Sequence, residues 1–135
     1  MQGRIVSRMR YMILFLLSFP ALAWDDTDRI LGAAAVATLA YDWGQTRWAS
    51  KYPCGNPVSA YCPDPYRESG LAKHVIGSTP TPGQVDRYFA TCIVGTLLIA
   101  EWLPSSKRKI FLGTITAVEL VVIRHNRQIG IQMQF

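Results

Sequence analysis

The fold of this chain is decided by residues 85–123, VDRYFATCIVGTLLIAEWLPSSKRKIFLGTITAVELVVI, in which two apolar segments flank a short polar turn. The first segment, 85–103, ends at Pro104, which cannot continue a helix because proline lacks a backbone N–H. The second apolar segment is 110–123. The turn PSSKRK between them has six residues. A connection this short predicts two antiparallel helices.

Neither segment has a polar face wide enough to meet water, which favours a membrane hairpin over a soluble helical hairpin. Segment 110–123 has only 14 residues, which cover about 21 Å at a rise of about 1.5 Å per residue. The hydrocarbon core of a bilayer is roughly 30 Å thick. We therefore expect its flanking residues, or a tilt of its neighbours, to supply the difference.

A third apolar segment, 30–49, reads ILGAAAVATLAYDWGQTRWA and contains no proline. Asp42 and Gln45 make its second half costly in lipid, so an amphipathic helix on a small core is the alternative to a span. An N-cap is expected from one of three residues: Asp25, Thr27 or Asp28. Small residues on one helical face predict close helix packing; they are Ala33, Ala37, Ala40 and Gly44, with a second pair at Gly113 and Ala117.

The N-terminus has the order of a secretory signal. A basic region ends at Arg10, the apolar run YMILFLLSF follows at 11–19, and Pro20 precedes Ala21-Leu22-Ala23. Small residues at positions −3 and −1 predict cleavage after Ala23, which leaves a single domain over 24–135. An uncleaved anchor is the alternative, but the run is short for a span of about 20 residues.

The formal net charge of +5 over 135 residues does not indicate a nucleic-acid partner. Three arginines lie in the first 23 residues, which leaves 11 basic and 9 acidic residues in the rest. No stretch interleaves basic and aromatic residues as a nucleic-acid surface does. The charge is better explained by membrane orientation.

The positive-inside rule favours three spans, at 30–49, 85–103 and 110–123. With the mature N-terminus outside, seven basic residues lie inside: Arg47, Lys51, Arg67, Lys73, Arg87, Arg124 and Arg127. Four lie outside: Arg29, Lys107, Arg108 and Lys109. If only the hairpin spans, the inside holds just the three charges of its turn. The compact cluster at 107–109 argues against the three-span arrangement.

The connection 50–84 is rich in proline and is expected to be an ordered loop with a short helix at about 66–75. It contains six of the eight prolines. Cys54 and Cys62 would pair if this loop is periplasmic, whereas the three-span topology places it in the cytoplasm with free thiols. Cys92 is expected to pack within a helix.

A polar cluster is the candidate site. Asp42, Gln45 and Thr46 share one helical face at spacings of three and four, and Glu119 is a costly acid in the middle of the last helix. Such groups usually face a bundle interior. In one interpretation they line a small site; in the other they form interhelical hydrogen bonds, with Arg47 or Arg124 as partners.

Other chemistry has little support in the sequence. His74 and His125 have no metal-binding spacing around them, and two thiols without a CxxC spacing do not form a zinc site. Nucleophile elbows, phosphate-binding loops and dinucleotide-binding patterns are absent. No metal or cofactor is therefore expected. The alternating C-terminus QIGIQMQF, 128–135, predicts a short strand or an extended tail.

Three stretches, DWGQTRWAS (42–50), RESGLAKHVIG (67–77) and TPTPGQVDRYF (79–89), resemble a set of small uncharacterised bacterial and phage membrane proteins. The shared pattern is Asp-x-x-Gln-Thr at a helix end, a Glu before a turn, then Pro, Val and Tyr-Phe. Here it implies Asp42, Gln45, Thr46, Glu68, Gly77, Pro80, Tyr88 and Phe89. The resemblance carries no activity. It implies that Asp42, Gln45 and Glu68 together hold the loop on the helix end, so that Asp42→Asn loosens the loop.

These observations predict an all-α membrane bundle that acts as a non-enzymatic structural or interaction protein of the bacterial cytoplasmic (inner) membrane. Its expected partners are the lipid bilayer and another copy or another membrane protein, through the small-residue faces. A phage-type lysis accessory is one alternative. A small membrane enzyme or solute-handling protein that uses Asp42, Gln45 and Glu119 is another.

Overall fold

The computed structural model describes residues 24–54 and 65–131. Its helices are α1 (Asp26–Lys51), α2 (Gly70–Ile76), α3 (Pro82–Trp102) and α4 (Ser105–Gln128). No strand occurs in these two ranges, so the predicted all-α class is confirmed. The predicted signal sequence (1–23), Cys62 and the second half (132–135) of the predicted C-terminal strand or extended tail lie outside the described residues.

The long helices agree with the three predicted segments, but α4 is longer than its apolar stretch by five residues at each end. The sequence 105–109, SSKRK, was expected to form a turn. It forms the first turns of α4 because Lys and Arg are good helix formers and Pro104 fixes the chain as it enters the helix. The turn between α3 and α4 is thus reduced to residues 103–104.

Two capping boxes fix the starts of α1 and α3. At α1, Asp25 Oδ1 accepts a hydrogen bond from the Asp28 backbone N–H at 2.8 Å, and Asp28 Oδ2 accepts from the Asp25 N–H at 3.4 Å. At α3, Thr81 and Gln84 form the same reciprocal pair. Reciprocal caps satisfy backbone donors that have no partner within the helix. Of the three predicted caps for α1, Asp25 takes the position.

The helix α1 lies between α3 and α4 and packs on both, while α3 and α4 touch each other less. Two apolar clusters result. One is built on Ala35, Ala100 and Leu112, and the other on Ile76, Val85 and Phe89. Stacking of Trp43 on the Phe89 ring extends the second cluster.

The predicted small-residue stripe of α1 is not its packing face. Three of its members, Ala33, Ala37 and Ala40, are exposed. The buried face of α1 is offset around the helix and comprises Gly32, Ala35, Leu39, Asp42, Gln45, Thr46 and Ala49. Residues 32–37 are small almost throughout, so size does not select a face. The polar groups of α1 select the buried face instead, because they find hydrogen-bond partners only in the interior.

The helix directions define two ends of the bundle. The Arg108–Asp28 ion pair, with N–O 2.8 Å, brings the start of α4 to the start of α1, and Asn126 meets Asp42 near their other ends. We call residues 24–29 and 101–109 the turn end. We call residues 45–54, 65–87 and 124–131 the loop end.

None of the helices in the described ranges combines the length and the apolar character that a membrane crossing requires. The helical bundle is thus observed, and the three membrane spans stay a prediction.

Candidate functional site

The three polar residues predicted on one face of α1 are all buried. Asp42 is 7% exposed, Gln45 0% and Thr46 5%. Their spacing of three and four residues places them on the same side of the helix. Asp42 and Gln45 face Asn126 of α4, and Thr46 lies near Tyr66, so the structure gathers these side chains at one place in the interior.

Asn126 of α4 joins this cluster through its side-chain amide. Its Nδ2 donates to Asp42 Oδ1 at 2.8 Å and lies 3.3 Å from Gln45 Oε1. Gln45 Nε2 in turn donates to the backbone carbonyl of Ile131 at 3.2 Å. The Ile131 N–H donates to the Asn126 carbonyl at 2.8 Å. The network fastens the C-terminal end of α4 to α1.

The predicted partners of the cluster were Arg47 and Arg124, and neither is its hydrogen-bond partner. Arg47 Nε instead pairs with Asp86 Oδ1 at 2.8 Å, on the partly exposed surface between α1 and α3. Trp43 Nε1 donates to the same carboxylate oxygen at 2.8 Å. Arg124 is exposed. A neutral amide is a cheaper partner in the interior than a guanidinium, whose burial costs several kcal/mol, on the order of the penalty for any buried ion.

Tyr66 holds the connection onto the end of α1, and the sequence did not single it out. Its hydroxyl donates to Glu68 Oε2 at 2.5 Å and lies near Thr46. Its backbone N–H donates to the carbonyl of Pro53 at 2.7 Å. The backbone bond from Tyr66 thus ties the connection to the chain just after α1, whereas the hydrogen bond of Asp42 reaches α4.

Burial raises the pKa of Asp42 to about 7, and the negative charges of Glu119 and Glu68 act in the same direction. The hydrogen bond from Asn126 lowers this pKa but does not outweigh burial. Burial also raises the pKa of Glu119, whose buried Oε2 has no hydrogen-bond partner among the described residues. The interior therefore holds two carboxyl groups whose pKa is raised, and the pKa of Asp42 lies near neutral pH.

Tyr88 and Cys92 of α3 lie beside this group. Burial raises the pKa of Tyr88 to about 12, and its contact with Cys92 adds to the effect. Burial likewise raises the pKa of the Cys92 thiol. A thiol that keeps its proton is a weak nucleophile, so this pair supports packing and not catalysis. In the part of the chain that the structure describes, no group of His, Cys, Asp and Glu residues suits a metal ion.

Cys54 forms a disulfide bond, while Cys92 is a free, half-buried thiol. The three-span topology places the loop in the cytoplasm and predicts a free thiol at Cys54, and the disulfide shows that this prediction is wrong for Cys54. Disulfides persist in oxidising compartments such as the periplasm. His74 and His125 are both exposed at the loop end.

A second polar cluster, at the turn end, was missed by the sequence analysis. Arg108 is 4% exposed and donates to the Ala100 carbonyl at 2.7 Å, the Leu103 carbonyl at 2.9 Å and Asp28 Oδ2 at 2.8 Å. The Trp24 ring lies 5.2 Å from its guanidinium carbon. One side chain thus caps the C-terminus of α3 and ties it to the start of α1.

The neighbours of Arg108 complete this cluster. Trp24 Nε1 donates to a Glu101 carboxylate oxygen at 2.8 Å, and Lys109 Nζ pairs with Asp25 Oδ2 at 2.6 Å. A Cβ added at Gly32 would lie 2.5 Å from the Trp24 ring, so only glycine leaves room for it. Two of the three charges at 107–109 are therefore paired within the protein, which weakens their use as a signal of orientation.

No known protein family matches the chain, and neither a curated protein nor a solved structure does. The resemblance to small bacterial and phage membrane proteins therefore stays a prediction.

Proposed function

We propose that this chain is a non-enzymatic structural or interaction protein that works at the bacterial cytoplasmic membrane, with lipid against the outer faces of α3 and α4. The observation that carries this proposal is the exposure of large apolar side chains on these two helices. They are Val94, Leu98, Ile99 and Trp102 on α3, and Ile110, Val118, Leu120 and Val121 on α4.

These residues recur at helical spacing and are not scattered singly. On α3, Val94, Leu98 and Trp102 are four residues apart, and on α4 Val118 and Val121 are three apart. Each set therefore lies along one side of its helix. Because the inner faces of both helices pack on α1, the apolar faces have no cover within the described residues. Removing one such side chain from water stabilises by about 1.5–3 kcal/mol.

The interior polar cluster supports a structural role. Its amides are used in hydrogen bonds between α1 and α4, and this arrangement fixes how the two helices meet. Of the two interpretations of the cluster, interhelical bonding therefore has the stronger support.

Flotation of the purified full chain with phosphatidylcholine vesicles tests the proposal. We expect the chain to float with the vesicles. Val121→Gln should lower the vesicle partition coefficient, obtained from the floated fraction, by about tenfold, because burying a valine is worth roughly 1.5 kcal/mol or more. The matched control is Val75→Gln on α2, since Val75 is 71% exposed and Val121 70%, but Val75 lies off both faces. A wild-type chain that stays monomeric in buffer and ignores vesicles contradicts the proposal.

A small solute-handling protein is a second candidate, favoured by one observation. Asp42 has its pKa raised to about 7 by burial, with Glu119 and Glu68 acting on it, and a buried acid of this kind is suited to carrying a proton. Proton flux into reconstituted vesicles, read by a pH-sensitive dye, distinguishes the two candidates. This second function requires a flux that Asp42→Asn abolishes, and equal flux in both proteins excludes it.

A further inference from the structure

We infer that the loop end of the bundle binds the anionic headgroups of a lipid surface. This inference rests on the proposed function, because it names the lipid class that the membrane-facing protein would select.

The described charges are sorted unevenly between the two ends. The loop end carries seven exposed basic residues: Arg47, Lys51, Arg67, Lys73, Arg87, Arg124 and Arg127. Among the residues that the structure describes there, two carboxylates accompany them, Glu68 and Asp86, and Asp86 is engaged with Arg47 at 2.8 Å. The loop end therefore has a formal excess of five positive charges.

The turn end is balanced. It has four basic and four acidic residues, and several of them pair directly. Arg108 bonds Asp28, Lys109 bonds Asp25, and Arg29 lies near Asp26. Charges that neutralise each other within the protein are not free to bind an external anion. The two ends therefore differ in how many basic side chains they carry and in how many of these are available to bind an external anion.

The exposed apolar faces indicate lipid as the polyanion. On α4, Leu120 and Val121 are 53% and 70% exposed and lie within one turn of Arg124. An apolar face that continues directly into basic residues matches the boundary between acyl chains and headgroups. Long Lys and Arg side chains can keep their apolar stems in the acyl layer while their charges reach the phosphates. A nucleic acid would use the charges and leave the apolar faces uncovered.

The expected size of the effect follows from surface electrostatics. Each basic residue near an anionic leaflet changes partitioning about fivefold. Removing two of them should lower binding by roughly 10–25-fold at low salt. Added salt should remove most of this difference, because about 1 M salt shortens the screening length to roughly 3 Å.

The experiment measures partitioning of the full chain onto vesicles of phosphatidylcholine alone and of phosphatidylcholine with phosphatidylglycerol, at low and high salt. We expect tighter binding to the anionic vesicles. Arg124→Gln with Arg127→Gln should remove that preference without changing binding to the neutral vesicles. The matched control, Arg29→Gln with Lys107→Gln, removes the same charge from the turn end and should keep the preference. Circular dichroism checks that both variants are folded. If the first pair is not folded, Lys51→Gln with Arg67→Gln replaces it.

Three outcomes overturn the inference. They are detectable binding of the wild-type chain to both vesicles with equal affinity, equal losses in the two variant pairs, and tighter binding to an oligonucleotide than to anionic vesicles. Failure of the proposed function is distinguishable from these, because the chain would then bind neither kind of vesicle.

Discussion

Both parts of the bundle bury a polar side chain among helices, and they stabilise it with different partners. At the turn end, Arg108 and Asp28 are both buried and bond each other directly. In the interior next to the loop end, Asp42 meets an amide, Asn126, and its pKa rises to about 7. A buried pair with complementary charges stays in one protonation state, because each charge stabilises the other. A buried acid without a cation remains able to exchange a proton.

The surfaces differ in the same sense. The exposed charges of the turn end are balanced by neighbours such as Asp25 and Lys109. The loop end, in contrast, has basic residues with no acidic partner among the described residues, and they lie near exposed apolar side chains. The comparison teaches that the turn end is organised for stability and the loop end for contact with something outside the chain.

The largest expected effect comes from removing the buried ion pair between Arg108 and Asp28 at the turn end. Asp28→Ala leaves the Arg108 guanidinium buried without its carboxylate, which should lower the free energy of unfolding by about 3–5 kcal/mol. Urea unfolding followed by circular dichroism measures it. Asp26→Ala is the control, since this acid lies in the same turn with its side chain 97% exposed, and it should cost less than about 0.5 kcal/mol. Equal losses of unfolding free energy in both variants would show that the ion pair does not stabilise the packing of the helices.

The pH dependence of stability probes the loop end. Because the pKa of Asp42 is about 7 when folded and 3.8 ordinarily, the folded state holds the proton more tightly. The free energy of unfolding should therefore be highest below about pH 4. It should fall by up to about 4 kcal/mol as the pH rises, and level off above about pH 7. Glu119, whose pKa burial also raises, acts in the same direction.

Asp42→Asn should flatten this profile and make the protein more stable than the wild type at pH 8. A variant that is less stable at pH 8 would contradict the account. The resemblance predicts instead that this substitution loosens the loop. Proteolysis within 50–84 separates the two expectations, because the observed hydrogen bond of Asp42 runs to Asn126 and not to the loop.

Removing the amide of the loop-end network should have a moderate effect. Asn126→Ala leaves the acceptors on Asp42 and Gln45 buried without their donor, which should cost about 1–3 kcal/mol. The control is Gln128→Ala at the exposed end of the same helix. Hydrogen exchange at the end of α4 should increase only in the first variant. Unchanged protection there would show that Asn126 does not fasten α4 to α1.

The smallest expected effect is at a helix start that belongs to neither polar cluster. Thr81→Ala removes the side-chain oxygen that caps α3 and should cost about 1 kcal/mol. Thr91→Ala, also on α3 and exposed, serves as the control in thermal unfolding. Equal changes in melting temperature would mean that the capping box of α3 contributes little.

Much of the fold was predictable because the apolar segments mark the middle of each long helix and Pro104 marks the break between α3 and α4. The first turns of α4 were not, since charges beside an apolar segment normally indicate a turn, and only the distant Asp28 explains why Arg108 enters the interior. The packing face of α1 was misassigned because its residues 32–37 are small almost throughout. In such a segment size carries no directional information.

The candidate site was predictable in part. The spacing of Asp42, Gln45 and Thr46 placed them on one face. The cost of exposing polar groups to lipid predicted that this face is turned to the bundle interior. Asn126 and Tyr66 were missed because each is a single polar residue without a periodic pattern. Their partners lie across the bundle or in an irregular segment, and sequence spacing does not report such contacts.

The central claim is that lipid lies against the outer faces of α3 and α4, and collision of a spin label with oxygen or with an aqueous nickel complex tests it most directly. The label is attached at Leu98→Cys, and in a matched sample at Val75→Cys, with Cys92→Ala removing the free thiol. On vesicles, the account predicts that the label at 98 meets oxygen and is shielded from nickel, while the label at 75 meets nickel. Equal nickel accessibility at the two positions would contradict it.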